Sequence, residues 1–114
     1  MVIEKLVNIA LLQSALTGVL YADTQKFTIE IKNHLFYPSE VVVPVDEKVK
    51  LIIINRDSTP EEFESFDLNR EKVILGKRKG IVFIGPLEVG EYPFFGEFHP
   101  ETALGKIIVR QEKP

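Results

Sequence analysis

An all-β fold, a sandwich or barrel of short strands, is the class this sequence predicts, and three observations carry the prediction. Alternating or β-branched runs recur from residue 26 to residue 109. Turn-forming pairs such as Asn33-His34, Asp46-Glu47 and Gly85-Pro86 punctuate them. After residue 23 no stretch carries the period of an amphipathic helix. Short strands at regular spacing, separated by turns, are the signature of a sandwich or barrel.

The elements follow in order. Phe27-Thr28-Ile29-Glu30-Ile31-Lys32 alternates apolar and polar residues, as a half-buried strand does, and Asn33-His34 breaks it. Phe36-Tyr37-Pro38-Ser39-Glu40 leads into the β-branched run Val41-Val42-Val43, which Pro44 limits. Val49 to Asn55 is the strongest strand and is expected at the centre of a sheet. Arg56-Asp57-Ser58-Thr59-Pro60 reads as a loop of residues that bond nearby backbone. Glu61 to Asp67 carries too many carboxylates for a comfortable strand, and Asn69 to Lys72 reads as a helical turn or a loop. Ile81 to Ile84 is a further strand closed by Gly85-Pro86. The final pair, Tyr92–Phe95 and Lys106–Val109, brackets a Gly96–Gly105 loop.

The chain has 114 residues, enough for one domain. Residues 6–20 are rich in Leu, Ile, Val and Ala, and Tyr21-Ala22 precedes a polar switch at Asp23. That pattern reads as a signal peptide over residues 1–22, cleaved after Ala22, with a domain over residues 23–114. Asn8, Gln13 and Ser14 interrupt the apolar run, which falls short of the roughly 20 residues of a membrane span. The alternatives are an amphipathic helix or an uncleaved anchor, because Glu4 cancels Lys5 at the start. The expected compartment is a bacterial periplasm or equivalent exterior. The net charge of −3 argues against a nucleic-acid partner. Cysteine is absent, which excludes disulfides, thiolate ligands and thiol catalysis. No Ser/His/Asp arrangement or phosphate-cradling glycine loop occurs.

The segment Gly90-Glu91-Tyr92-Pro93-Phe94-Phe95-Gly96-Glu97-Phe98-His99-Pro100-Glu101-Thr102-Ala103-Leu104-Gly105-Lys106-Ile107-Ile108-Val109 resembles the last two strands and metal loop of a cupredoxin. In that family the segment runs Gly-x-Tyr-x-Phe/Tyr-x-Cys, then His, Met and Gly-x-ψ-x-Val. Here His99 keeps the His, but the Cys position falls on Gly96 and the Met position on Ala103 or Leu104. Phe36-Tyr37-Pro38-Ser39-Glu40, Glu47-Lys48-Val49 and Asn55 resemble the family's second and third strands. The resemblance implies a Greek-key β-sandwich over about residues 26 to 110. Pro60 to Ser65, Asp67 to Lys72, Gly85 to Leu87 and Phe94 to His99 are similar to a narrower subgroup. Its small periplasmic members accompany bacterial ferrous-iron permeases. That likeness implies a role in iron uptake by metal delivery, electron relay or ferrous-iron oxidation. The implied partner is a membrane iron permease or a periplasmic iron-binding protein.

A blue copper site needs a thiolate, two imidazoles and a weak axial ligand. Gly96 removes the thiolate, so a blue site is excluded. Imidazole and carboxylate remain: His99 with Glu97 beside it, Glu61 or Glu62 where the family threading has its other histidine, and His34 at the same rim. Such ligands suit an iron or copper ion in a harder environment than Cu(I) prefers. Strand alternation separates Glu61 from Glu62 and Glu64, and Glu61 is preferred. The bland alternatives are a solvated acidic edge and a hydrogen-bonded loop histidine, which together describe a metal-free interaction module. Oxidation of ferrous iron would need an electron acceptor that the sequence does not name. Phe94 is expected in the core with Phe95 and Phe98 around the loop, and Lys77-Arg78-Lys79 on a solvated turn.

Overall fold

Alternation along the chain builds two facing sheets in the computed structural model, which describes residues 23–111. The expected signal peptide, residues 1–22, lies outside the described residues. Nine strands occur among them: β1 Gln25–Lys32, β2 Leu35–Tyr37, β3 Glu40–Pro44, β4 Val49–Asn55, β5 Glu61–Ser65, β6 Arg70–Ile74, β7 Lys79–Ile84, β8 Gly90–Gly96 and β9 Leu104–Arg110. One sheet has the order β2-β1-β4-β7 and the other β3-β9-β8-β5-β6. β1 runs parallel to β4 and β3 parallel to β9, while the other pairs are antiparallel. The expected centre is borne out, since β4 lies between β1 and β7.

Each sheet turns its apolar positions inward. β4 buries Val49, Leu51, Ile53 and Asn55, and its intervening residues face outward. Ile29 and Ile31 of β1, Val82 and Ile84 of β7, and Ile107 and Val109 of β9 meet them in one core. Phe36, Phe63 and Phe94 join the two sheets, with ring centres 5.0 Å apart for Phe36–Phe94 and 4.9 Å for Phe63–Phe94. Phe94 is in the core as expected, while Phe95 meets Phe66 outside it and Phe98 is exposed.

Two expectations fail. Glu61 to Ser65 is a regular strand, because alternation buries Glu61, Phe63 and Ser65 and turns Glu62 and Glu64 outward. The inward polar groups are satisfied: the Ser65 hydroxyl donates to the Pro93 carbonyl and accepts from the Leu68 N–H. Arg70 to Ile74 is likewise a strand, paired with β5 from Ser65↔Arg70 to Glu61↔Ile74. Neither segment has a strong strand composition. Cross-strand pairing and the burial of Phe63 and Ile74 override local preference.

Pro44 is the last residue of β3, an outer strand of its sheet, where a missing N–H is tolerated. Asn33-His34 forms a two-residue turn between Lys32 and Leu35, with φ of 54° and 62°. Positive φ at both central residues is the geometry that matches hairpin twist.

Candidate metal centre

Three connections converge at one end of the sandwich. His34 is the second residue of the β1–β2 turn, Glu61 opens β5, and His99 sits in the loop between β8 and β9. The loop is held by its own backbone. His99 N–H donates to the Gly96 carbonyl at 3.0 Å, and Ala103 N–H donates to the His99 carbonyl at 2.9 Å. Glu97 N–H donates to the Glu62 carbonyl at 2.9 Å, fastening the loop to β5.

Glu61 is 1% exposed, and its charge is answered by donors on every side. Its Oε1 accepts from the Phe98 N–H at 2.9 Å and the Glu62 N–H at 3.0 Å. Its Oε2 shares a hydrogen bond of 2.6 Å with His99 Nδ1. Burial of a carboxylate is costly unless it is hydrogen-bonded and paired, and here it is both. The His34 ring stacks on the His99 ring at 3.7 Å between centres and 16° between planes.

The β1–β2 turn is held in place by a residue of the loop that follows β4. Asp57 accepts the Asn33 N–H at 2.8 Å and the His34 N–H at 2.9 Å. Its Oδ2 lies 3.5 Å from His34 Nδ1. Burial works to raise the Asp57 pKa, but the His34 and Asn33 N–H donors, with the charges of His34 and Lys77, outweigh it. The carboxyl therefore lies below its ordinary value. Asp57 is in turn placed by Asn55, whose Oδ1 accepts the Asp57 N–H at 3.0 Å. The Asn55 amide donates to the Thr59 and Ile74 carbonyls. A signal was present in the sequence: two residues suited to left-handed backbone, Asn33-His34, leave two N–H groups in need of an acceptor. No sequence rule says which distant carboxylate supplies it.

Of the predicted site residues, the structure brings together His34, Glu61 and His99, with one donor atom from each lying within 4.8 Å of the others. Glu62 and Glu97 do not join this group. Glu62 faces outward with Glu64 and Glu71, and Glu97 is exposed. Partial burial, then repulsion from Glu71, Glu97 and Glu61, raises the Glu62 pKa. Glu64 is raised in the same way, by burial and then chiefly by Glu71. Of the two carboxylates, Glu61 is the one that lies beside His34 and His99. Of the two residues expected at the Met position, Ala103 is buried and Leu104 is 56% exposed.

The missing thiolate has a structural counterpart. A Cβ built on Gly96 would lie 2.7 Å from Glu61 Cδ and 2.8 Å from both Ala103 Cβ and Glu61 Oε2. The Glu61 carboxylate thus fills the space that a side chain at position 96 would need. The donors suit a borderline or hard ion in kind and proximity. Their present arrangement is a hydrogen-bonded pair beneath a stacked ring, and the ring planes are too nearly parallel for both lone pairs to meet one ion. The His34 side chain is 42% exposed, with room to turn.

A two-sheet Greek-key sandwich with a histidine in its last loop is a protein of cupredoxin type. The chain belongs to the cupredoxin-like domain family, whose pattern it matches over residues 5–109. It is 49% identical over 81 residues to an uncharacterized protein of Rickettsia prowazekii (strain Madrid E). That alignment covers 71% of this chain and 65% of the relative's length. Solved structures share the fold. The metal-binding domain of the Streptococcus pneumoniae D39 Cu(I)-exporting P-type ATPase CopA, solved with Cu(I), superposes with a TM-score of 0.68 at 14% identity. The match covers 81% of this chain and 91% of that one. Auracyanin A, a blue copper protein of Chloroflexus aurantiacus, gives a TM-score of 0.67 at 13% identity, covering 77% of this chain and 100% of its own.

Proposed function

We propose that this chain binds one divalent metal ion, iron or copper(II), through His34, Glu61 and His99, and carries it in iron uptake on the periplasmic side of a membrane. The observation that carries the metal reading is the convergence of two imidazoles and a buried carboxylate at the end of the fold where the family motif has its metal loop. Two structural neighbours are described with copper, one with Cu(I) and one as a blue copper protein, which supports a metal reading for this end of the fold. The iron role rests on the subgroup likeness of Pro60 to Ser65 and Phe94 to His99, and a membrane permease or periplasmic iron-binding protein is the partner it implies.

The residues divide the work. Glu61 would offset the charge of a bound cation, and the Phe98 and Glu62 N–H groups hold its carboxyl in place. Asp57 fixes the backbone of His34, whose exposed ring can turn toward the ion. The proton between His99 Nδ1 and Glu61 Oε2 must leave if both atoms become ligands, so uptake releases a proton and weakens in acid. A bound copper or iron ion would supply one-electron redox chemistry, and ferrous-iron oxidation would require a separate acceptor.

Calorimetric titration with Cu(II), Fe(II), Mn(II) and Zn(II) tests the site. Micromolar or tighter binding that is lost in His99→Ala and Glu61→Gln is expected. Unchanged affinity in both variants ends the assignment. Undiminished ferrous-iron uptake by cells lacking the protein would end the iron role without touching the site.

A second reading has its own observation. Glu61 and Ala103 already fill the space beside Gly96, and Glu61 is bonded to His99, as they would be in a metal-free module that docks a protein. Metal that binds the native state raises Tm, so an identical Tm with and without each metal favours this reading.

A further inference from the structure

Outward side chains sort by sheet. On β2-β1-β4-β7, alternation points Lys26 and Lys32 of β1, Lys50 of β4 and Lys79 of β7 away from the core, and Lys48 leaves the turn before β4. Among them lie Ile52 and Ile54, half-buried, and Ile81 and Phe83, 40% and 43% exposed. Register makes these residues contiguous. Lys26, Lys50 and Phe83 form one row, Thr28, Ile52 and Ile81 the next, and Glu30, Ile54 and Lys79 a third. The Lys48 and Lys50 ammonium groups lie 4.8 and 6.0 Å from the centre of the Phe83 ring. Glu30, the carboxylate in these rows, is bonded to Arg56 at 3.1 Å. On the opposite sheet Glu40, Glu62, Glu64, Glu71 and Glu91 point outward, and Lys106 is bonded to Glu91 at 2.9 Å. A chain of net charge −3 therefore carries one positive, partly apolar face.

We propose that the outer face of the β2-β1-β4-β7 sheet binds the surface of an anionic phospholipid bilayer. Three features favour lipid over protein. The free cations on the rows are lysines, which protein interfaces deplete while enriching arginine. Lysine instead extends its apolar stem along a hydrophobic surface and delivers its charge to headgroups. The apolar residues of β4 and β7 lie beside lysines of the same or the adjoining rows, so both can engage a flat headgroup layer together. Docked in this way, the sandwich lies on its side and the His34/His99 end opens along the membrane plane. The inference does not depend on the metal reading.

The chain has no tryptophan, so Phe83→Trp and, on the opposite sheet, Val42→Trp each introduce a single reporter. The full chain is used, because the apolar residues 6–20 can bind lipid by themselves and only a reporter on the face separates the two modes. The probe is vesicles of equal parts phosphatidylglycerol and brominated phosphatidylcholine, with brominated phosphatidylcholine alone as control. Phosphatidylglycerol-dependent quenching is expected in Phe83→Trp and not in Val42→Trp. Reversing Lys32, Lys50 and Lys79 to Glu should weaken that binding by about tenfold or more. Raising NaCl from about 0.1 to about 0.5 M should do likewise. Gln at the same three positions keeps the test readable should charge reversal disturb the fold. Equal quenching of both reporters, indifference to phosphatidylglycerol, or no effect of either triple variant would overturn the proposal. So would salt-sensitive self-association through these lysines, seen by sedimentation velocity, without vesicle quenching.

Discussion

Glu61 is the residue on which the site turns, because it is buried, ionisable and answered by three separate donors. Glu61→Ala removes the acceptor of two backbone N–H groups and of His99. The expected cost is on the order of 3 kcal/mol, measured by urea denaturation. Glu61→Gln keeps an acceptor for those donors and should cost clearly less. Gly96 is its complement. Gly96→Cys forces a Cβ to within 2.7 Å of the Glu61 carboxyl carbon, so it should destabilise by about 1–3 kcal/mol. It should also yield no intense visible band with copper(II). Adding Glu61→His replaces the buried carboxylate with an imidazole beside His99, and the thiolate-to-copper band is expected in that double variant alone. A blue colour in Gly96→Cys by itself would show that the loop places residue 96 elsewhere.

At the scale of elements, the β1–β2 turn and the β5–β6 hairpin make separate predictions. His34 has φ of 62°, which Asn tolerates and Ala does not. Both His34→Asn and His34→Ala remove the imidazole, but Ala should cost about 1 kcal/mol more in thermal unfolding. Equal stability would mean that the turn does not hold this backbone. On the hairpin, Glu62 and Glu64 have raised pKa values, so their ionisation opposes folding. Stability should rise as pH falls from 7 toward 4.5, and Glu71→Gln should flatten that rise. Asp57 carries the opposite sign. Its lowered pKa contributes stability above 3.8 that disappears as pH falls through the folded value. Tm plotted against pH should therefore pass through a maximum on the acid side of neutrality. A profile falling monotonically from pH 7 would refute this ordering.

Across the whole molecule, the two sheets are held together by apolar packing under the site, without a disulfide. Phe94 is 1% exposed and packs against Phe36 across the layers and against Phe63 within its own sheet. Phe94→Ala should cost about 3–5 kcal/mol, and a loss below about 1 would mean that the layers are joined elsewhere. The same sandwich separates charge. Net charge alone indicates an acidic protein, and only the pairing of β1, β4 and β7 gathers lysines scattered from residue 26 to residue 79 on one surface.

Much of this architecture was legible in the sequence. The alternation of Phe27 to Lys32 and Val49 to Asn55, and the family motif ending at His99, were enough for the strands, the sandwich and the end at which any ion would sit. Loss of the blue copper ligand set followed from Gly96 and the absence of cysteine, since no fold can supply a thiolate that the chain lacks. Strand alternation also separated Glu61 from Glu62, a local property of backbone geometry. What β5 and β6 became was decided by tertiary structure, because their composition favours loops and only cross-strand pairing with burial of Phe63 and Ile74 makes them strands. The role of Asp57 was settled in the same way. Its partners are more than twenty positions away in sequence, and a hydrogen bond of that range exists only after β1 and β4 have paired.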